Sequence, residues 1–182
     1  MAACMVAAAG AAFAAGSRPV EYLDEETGAT VAVVGKPLVF ARESSGFAGD
    51  YVTLAAVAVD RSGELNYVLV GYIWSAGAPR EPEHTPLSAA GLVLQADDRR
   101  IELTLQRRSA RELGIGVPVH RPPFGSATSH AYAIDLATMQ VIADCHHLSL
   151  YLQNDSAPVI YELFQDRRDA LKEFVRFLSA RD

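Results

Sequence analysis

The densest group of side chains that could bind a metal or take part in catalysis is Asp144-Cys145-His146-His147. Carboxylate, thiolate and imidazole groups are all zinc ligands, but a tetrahedral site needs three or four of them to converge. In an extended segment His146 and His147 point to opposite faces, so at most one of them can join Cys145. No second ligand pair lies at a spacing of two to four residues. We therefore expect Cys145 to be a small buried side chain at a junction between elements, and we predict no metal ligand.

Serine, histidine and aspartate also occur together in the region 114–135, which contains Ser126, His130 and Asp135. A Ser-His-Asp hydrolase needs a nucleophile on a strained turn with a base oriented beside it. The sequence contains no G-x-S-x-G motif, and spacing alone does not show that these groups converge. No catalytic residue is predicted. An enzyme, hydrolase-like or metal-dependent, with its site around His120, His130 and Asp135 remains an alternative.

Charge and glycine patterns argue against two further classes of ligand. Sixteen basic and 22 acidic residues give a net charge of −6, without a basic stripe that could neutralise several phosphates. Because nucleic-acid binding depends on such neutralisation, nucleic acid is not an expected partner. The sequence has neither a phosphate-binding G-x-x-x-x-G-K-[ST] nor a dinucleotide-binding G-x-G-x-x-G motif. No cofactor is predicted.

The first 17 residues indicate export. Nine of the first 15 residues are alanine, and the first charged side chain is Arg18. Such a segment is typical of the apolar and cleavage regions of a signal peptide, with Ala12-Phe13-Ala14 as an A-x-A site, although the basic region that normally precedes them is missing. Met1-Ala2-Ala3-Cys4 resembles a lipoprotein box, in which Cys4 would carry the lipid and supply the only membrane attachment. A disordered leader is the remaining alternative.

The cysteines do not predict a disulfide framework. The chain has two, Cys4 and Cys145. If Cys4 leaves with the signal or carries lipid, Cys145 is unpaired, and a bridge between the two is the alternative. The fold is therefore expected to depend on burial of apolar surface.

Residues 18–182 are expected to form a single β-rich domain, because short apolar runs alternate with turn residues. Strands are predicted at 20–24, 30–34, 38–42, 51–59, 65–74, 92–95, 100–106, 147–153 and 158–164. The polar segment 60–64 predicts a hairpin with a type I turn and a left-handed bulge residue. Segment 65–74 is apolar on both faces, which indicates a strand covered on both sides.

Two helices complete the prediction. Asp166 is positioned to cap a helix over 167–180, whose apolar residues form one stripe, and Asp135 to cap a shorter helix over 136–143. The expected fold class is α+β: mainly antiparallel β, sandwich-like or a curled sheet, with the C-terminal amphipathic helix packed on it. The Gly- and Pro-rich stretches 75–89 and 114–129 are long enough to be functional loops.

Aromatic residues suggest a binding surface. Seven are candidates, most of them on predicted strands and one in a Pro-rich loop: Tyr67, Tyr72, Trp74, Tyr132, Tyr151, Tyr161 and Phe124. Aromatic side chains are enriched at interfaces and in ligand sites. Core packing would use the same residues, since they alternate with aliphatic ones at strand period.

Segments 20–24, 27–31, 37–42 and 67–74 resemble small exported proteins of unassigned function from GC-rich proteobacteria. The resemblance implies a cell-envelope location, periplasmic or membrane-tethered, and transfers no site residue. The sequence therefore favours an exported, non-catalytic binding or structural module whose partner is an envelope protein or a small ligand. A subunit of a larger envelope assembly is a further alternative.

Overall fold

The structure is a computed structural model that describes residues 17–42, 49–76, 91–121, 123, 129–153 and 158–181. Within these ranges the chain forms ten strands and two helices. In chain order they are β1 (Val20–Asp24), β2 (Ala29–Val33), β3 (Leu38–Arg42), β4 (Gly49–Arg61), β5 (Glu64–Ala76), β6 (Gly91–Ala96), β7 (Arg99–Leu105), β8 (His130–Ala133), α1 (Leu136–Asp144), β9 (Leu148–Gln153), β10 (Val159–Gln165) and α2 (Arg168–Ser179).

Eight of the strands form a closed antiparallel barrel. The order around it is β4-β3-β10-β9-β6-β7-β8-β5, and pairing of β5 with β4 closes the ring. β4 and β5 pair along their full length of 13 residues. The other edge of β4 is shared, because its first half pairs with β3 and its second half with β2. β2 and β1 therefore extend from the barrel as a two-stranded flap.

The closed barrel shows that the predicted sandwich-like or curled sheet is wrong. Alternation of apolar and polar residues is the same in a sandwich and in a barrel, so it does not distinguish the two. Closure depends on pairing between strands that are far apart in sequence, such as β3 with β10 and β5 with β8. The predicted C-terminal helix is present as α2.

The β4–β5 hairpin is present, but its turn differs from the prediction. Arg61 pairs with Glu64, and the two residues between them have positive φ, 57° for Ser62 and 85° for Gly63. Two left-handed residues define a type I′ turn, whose twist matches that of the strands. Asp60 supports the turn by accepting a 2.9 Å hydrogen bond from the Gly63 N–H. The tighter turn also extends both strands beyond their predicted bounds.

The barrel interior is packed with side chains, as expected for eight strands. Phe40, Val52, Leu94, Leu150 and other inward residues are 0 % exposed. At one end, which we call the helical mouth, α1 and α2 pack against this core through apolar residues: Met139, Ile142, Leu171, Phe174 and Leu178. The two helices together close this end of the barrel.

The helix starts only partly match the prediction. Asp135 caps α1, because its Oδ1 accepts a 2.7 Å hydrogen bond from the Thr138 N–H. α2, in contrast, has Arg167 at its N-cap and no side-chain cap. Asp166 lies one position too early for that role and accepts instead from the N–H of Arg168. Neither helix, nor any other helix in the described ranges, is long and apolar enough to cross a membrane.

A second, smaller core lies on the outer face of the barrel. Val68 and Val70 of β5 and Val57 of β4 pack there against Leu113 and Ile115. β5 is thus covered on both faces, as its sequence predicts. The segment that contains Leu113 and Ile115 follows β7 and lies over this face.

Asp24 holds that covering segment in place. It is 1 % exposed and accepts four backbone hydrogen bonds, from Glu26 and Thr27 at Oδ1 and from Gly116 and Val117 at Oδ2. Burial opposes ionisation of this carboxyl, but the N–H donors outweigh it and lower its pKa. Asp24 therefore acts as an ionised structural anchor.

Candidate functional site

His120, His130 and Asp135, the residues of the alternative enzymatic site, lie in three separate structural settings. Asp135 is the α1 cap described above. The Nε2 of His120 lies 3.2 Å from the carbonyl of Val34, and burial lowers the pKa of this histidine. His130 begins β8, opposite Gly71. Ser126 lies outside the described residues.

Cys145 lies at the junction between α1 and β9, as the sequence predicts. It is buried, with a free thiol that donates to the carbonyl of Ile142 at 3.1 Å. Arg168, the first residue of α2, contacts its carbonyl oxygen. Burial raises the pKa of the thiol, and the guanidinium of Arg168 offsets only part of this effect. Cys4 lies outside the described residues.

At the helical mouth, the Asp144–His147 segment contacts the β6–β7 turn and α2. Asp97, in the β6–β7 turn, accepts hydrogen bonds from the backbone N–H groups of His146 and His147 at 3.0 and 2.8 Å. Asp144 pairs with Lys172 of α2 at 3.3 Å. Nowhere in the described part of the chain do three or more His, Cys, Asp or Glu side chains gather in a way that could hold a metal ion.

A cleft of about 180 Å³ lies between the flap and the end of α2. Its charged groups already have structural partners. Glu21 pairs with Arg181 at 2.5 Å, and Asp60 supports the type I′ turn. These contacts explain the charges without a ligand.

The end of the barrel opposite the helices, which we call the distal mouth, carries the group of polar and aromatic residues with the strongest potential for binding. It lies where β3 ends, β4 begins and β5 ends, as the pairing of Arg42 with Asp50 and of Asp50 with Ser75 shows. Phe40 and Val52 point into the core, so Arg42 and Asp50, two positions away on their strands, lie on the same inner face.

The inner side of the distal mouth is polar. Ser75 donates a 2.8 Å hydrogen bond from Oγ to Oδ1 of Asp50. Tyr161 lies beneath and is 1 % exposed. Burial and, to a smaller extent, the charge of Asp50 raise the pKa of Tyr161, the charge of Arg42 lowers it, and the resulting value is about 12. The charges of Asp50 and Arg42 therefore act on the tyrosine hydroxyl.

His130 lies on the same inner face of the barrel wall. Tyr132, two positions further along β8, is 0 % exposed in the core. Because residues two apart share a face of a strand, His130 lies above Tyr132 towards the distal mouth. Burial lowers the pKa of His130, which favours the neutral imidazole.

The outer wall of the barrel beside the distal mouth is aromatic. Tyr51 and Trp74 are paired across β4 and β5, and their rings stack with centroids 4.2 Å apart at 13°. Phe164 of β10 meets the Tyr51 ring edge-on, with centroids 5.4 Å apart at 62°. We call Tyr51, Trp74 and Phe164 the aromatic rim. Of its three members, the sequence singles out only Trp74.

Hydrogen bonding and backbone geometry set the positions of these rings. The indole Nε1 of Trp74 donates a 2.9 Å hydrogen bond to Oγ1 of Thr53, whose side chain is buried. The β3–β10 register shifts between Leu163 and Gln165, so Phe164 lies at a β-bulge. Bulges change the direction of a side chain and are common beside binding sites. Phe164 remains 57 % exposed in this position.

Three of the other aromatic residues from the sequence analysis belong to the core, whereas Tyr67 and Tyr151 are half-buried. Tyr72, Tyr132 and Tyr161 are at most 3 % exposed, while Phe124 lies outside the described residues.

In comparisons with known proteins, the chain matches no family model, no curated protein and no solved structure.

Proposed function

We propose that this chain is a non-catalytic binding module of the cell envelope, which presents a recognition surface at the distal mouth of its barrel. The observation that supports binding is the aromatic rim, in which an exposed Phe164 is aimed at a stacked Tyr51–Trp74 pair. Exposed aromatic side chains held in one geometry contribute large contact areas at a low entropic cost.

The rest of the described structure has the character of a rigid support. The lumen is filled, two helices pack against the core at the helical mouth, and the second core is covered by an anchored segment. Binding surfaces are commonly placed at the mouths of β-barrels, where a stable scaffold carries the contact residues. The distal mouth fits that arrangement.

The envelope location rests on the uncharged, alanine-rich leader and on the resemblance to exported proteobacterial proteins. Fractionation of cells that express the full-length gene tests it. We expect a shortened or lipidated form in the envelope fraction. Full-length protein of unprocessed mass in the cytoplasm would contradict export.

Binding at the distal mouth can be tested in intact cells by photo-crosslinking. A photoreactive p-benzoylphenylalanine replaces Phe164 in one variant and Leu23 in a control, because Leu23 is also highly exposed, at 64 %, but lies on the flap. We expect crosslinked species from position 164 and far fewer from position 23. Equal yields at the two positions, or none at either, would refute the proposal.

A further inference from the structure

The covering segment makes its polar contacts with one part of the fold. It consists of residues 109–121, which follow β7 and carry Leu113 and Ile115 over the second core. Among the described residues, the hydrogen bonds and the ion pair that join it to other elements go to the β1–β2 turn and to Val34, the residue after β2. None of them goes to β4, β5 or β8, the barrel strands beneath the segment.

The β1–β2 turn holds the segment at short range. Asp24 accepts from the N–H of Gly116 at 2.8 Å, and the hydroxyl of Thr27 donates a 2.8 Å hydrogen bond to the carbonyl of Gly114. A Cβ at position 116 would lie 2.7 Å from Oδ1 of Asp24 and 3.0 Å from the Cβ of Glu26. Only glycine therefore allows the segment to lie this close to the turn.

Contacts between the segment and the barrel wall are apolar. A strip of buried aliphatic side chains on β4, β5 and β8 lies beneath it: Val57, Val59, Val68, Val70 and Ala131. The ladders of β4 with β5 and of β5 with β8 pair these strands without any residue of the segment. Lifting the segment therefore breaks its contacts with the turn and exposes the strip, but leaves the barrel hydrogen bonds intact. A part of a protein with this property can open as a separate cooperative unit.

We propose that the covering segment is a cover held shut by the β1–β2 turn, and that it opens from the outer wall as a unit while the barrel remains folded. Opening exposes the aliphatic strip on β4, β5 and β8. Contacts of Asp24 and Thr27 with the segment set how often this happens. The aromatic rim takes no part in this device, which is therefore independent of the proposed binding function.

Thiol labelling distinguishes opening of the cover from unfolding of the barrel. Val68→Cys places a thiol beneath the segment, and Leu69→Cys places one on the next residue of β5, inside the barrel, where both native side chains are at most 3 % exposed. Serine replaces Cys4 and Cys145, the two natural cysteines, in both variants. The full-length proteins react with dithionitrobenzoate without denaturant, and urea unfolding of each variant gives the rate that global unfolding alone permits. We expect the thiol at position 68 to exceed that rate by about tenfold or more, and the thiol at position 69 to match it.

A pair of glycine variants tests whether the turn holds the cover. Gly116→Ala forces the segment away from Asp24, so labelling beneath the segment should accelerate about tenfold, while labelling inside the barrel still matches global unfolding. Gly91→Ala is the matched control, because a Cβ there would meet only the side chain of Gln153, at 3.2 Å. Neither glycine has a positive φ. The control should leave both labelling rates unchanged. If Gly116→Ala does not fold, Asp24→Asn, which weakens the same contact, takes its place.

Two results would overturn the proposal. If the thiols at positions 68 and 69 both react at the rate set by global unfolding, the segment leaves the wall only when the barrel unfolds. If labelling at position 68 is fast but is not accelerated by weakening the contact between Gly116 and Asp24, the β1–β2 turn does not hold the cover. Neither result affects crosslinking through position 164, so the binding function is judged separately.

Discussion

The buried carboxylate of Asp24 provides the sharpest test of how this fold is held together. Its Oδ1 accepts from Glu26 and Thr27 at 3.1 Å each, and its Oδ2 accepts from Gly116 at 2.8 Å and Val117 at 3.2 Å. Asp24→Asn keeps the shape of the side chain but has a single acceptor oxygen. If that oxygen stays with the local turn, the amide NH₂ faces the N–H groups of Gly116 and Val117.

The expected cost follows from this count of donors. Two hydrogen bonds to a charged acceptor are lost, and each is worth about 1.5–3 kcal/mol. Part of this free energy is recovered, because the freed N–H groups around Gly116 can hydrogen-bond to water. We expect Asp24→Asn to lower the free energy of unfolding by about 3 kcal/mol. Glu25→Gln is the matched control, because Glu25 is an exposed neighbouring carboxylate, and its effect should stay within about 0.5 kcal/mol.

The pH dependence supplies an independent check. The pKa of Asp24 is lowered in the folded state, so its stabilising contribution is fully present above the unfolded value of about 3.9 and is lost as the pH falls through the folded value. Urea unfolding is followed at pH 7 and at intervals down to pH 3. The difference between the original chain and Asp24→Asn should be constant above about pH 5 and should shrink at lower pH. A difference below about 1 kcal/mol at pH 7, or one that grows in acid, would refute this account of the anchor.

Two further predictions concern glycine geometry and helix capping. Gly114 has φ +100° and a Cβ there would lie 2.7 Å from Cγ1 of Val59, whereas Gly28 has φ +68° with open space around it. In urea unfolding, Gly114→Ala should therefore lower the free energy of unfolding by about 3 kcal/mol and Gly28→Ala by about 1 kcal/mol. Equal losses in the two variants would show that the contact of residue 114 with the second core is unimportant. Asp135→Ala should lower stability by about 1 kcal/mol through loss of the α1 cap, while Asp135→Asn, which can still accept from Thr138, should lose less. Equal losses in the two Asp135 variants would contradict a capping role.

Local structure follows from the sequence in most of the described chain. β-branched runs, Pro37 and polar turn residues indicate β1 to β7, β9 and β10 to within a few residues. The apolar stripe of α2 and the cap of α1 are equally local signals. The apolar character of β5 on both faces even indicates the second core, since such a strand must be covered on each side.

The site depends on contacts that local patterns do not contain. Tyr51, Trp74 and Phe164 come from three strands, and Phe164 joins the others only because β10 pairs with β3, a strand more than 120 residues earlier in the chain, and bulges there. Periodicity predicts which face of a strand a residue occupies but not which strand lies beside it.

The sequence by itself therefore determined most of the strands, both helices and the uncharged, alanine-rich character of the first 17 residues. Only the tertiary structure decided that the sheet closes into a barrel, that Asp24 anchors a segment 92 residues away, and that an aromatic rim forms at the distal mouth. The physical reason is that side-chain period is a property of neighbouring residues, whereas barrel closure and the rim require hydrogen bonds and ring contacts between distant ones.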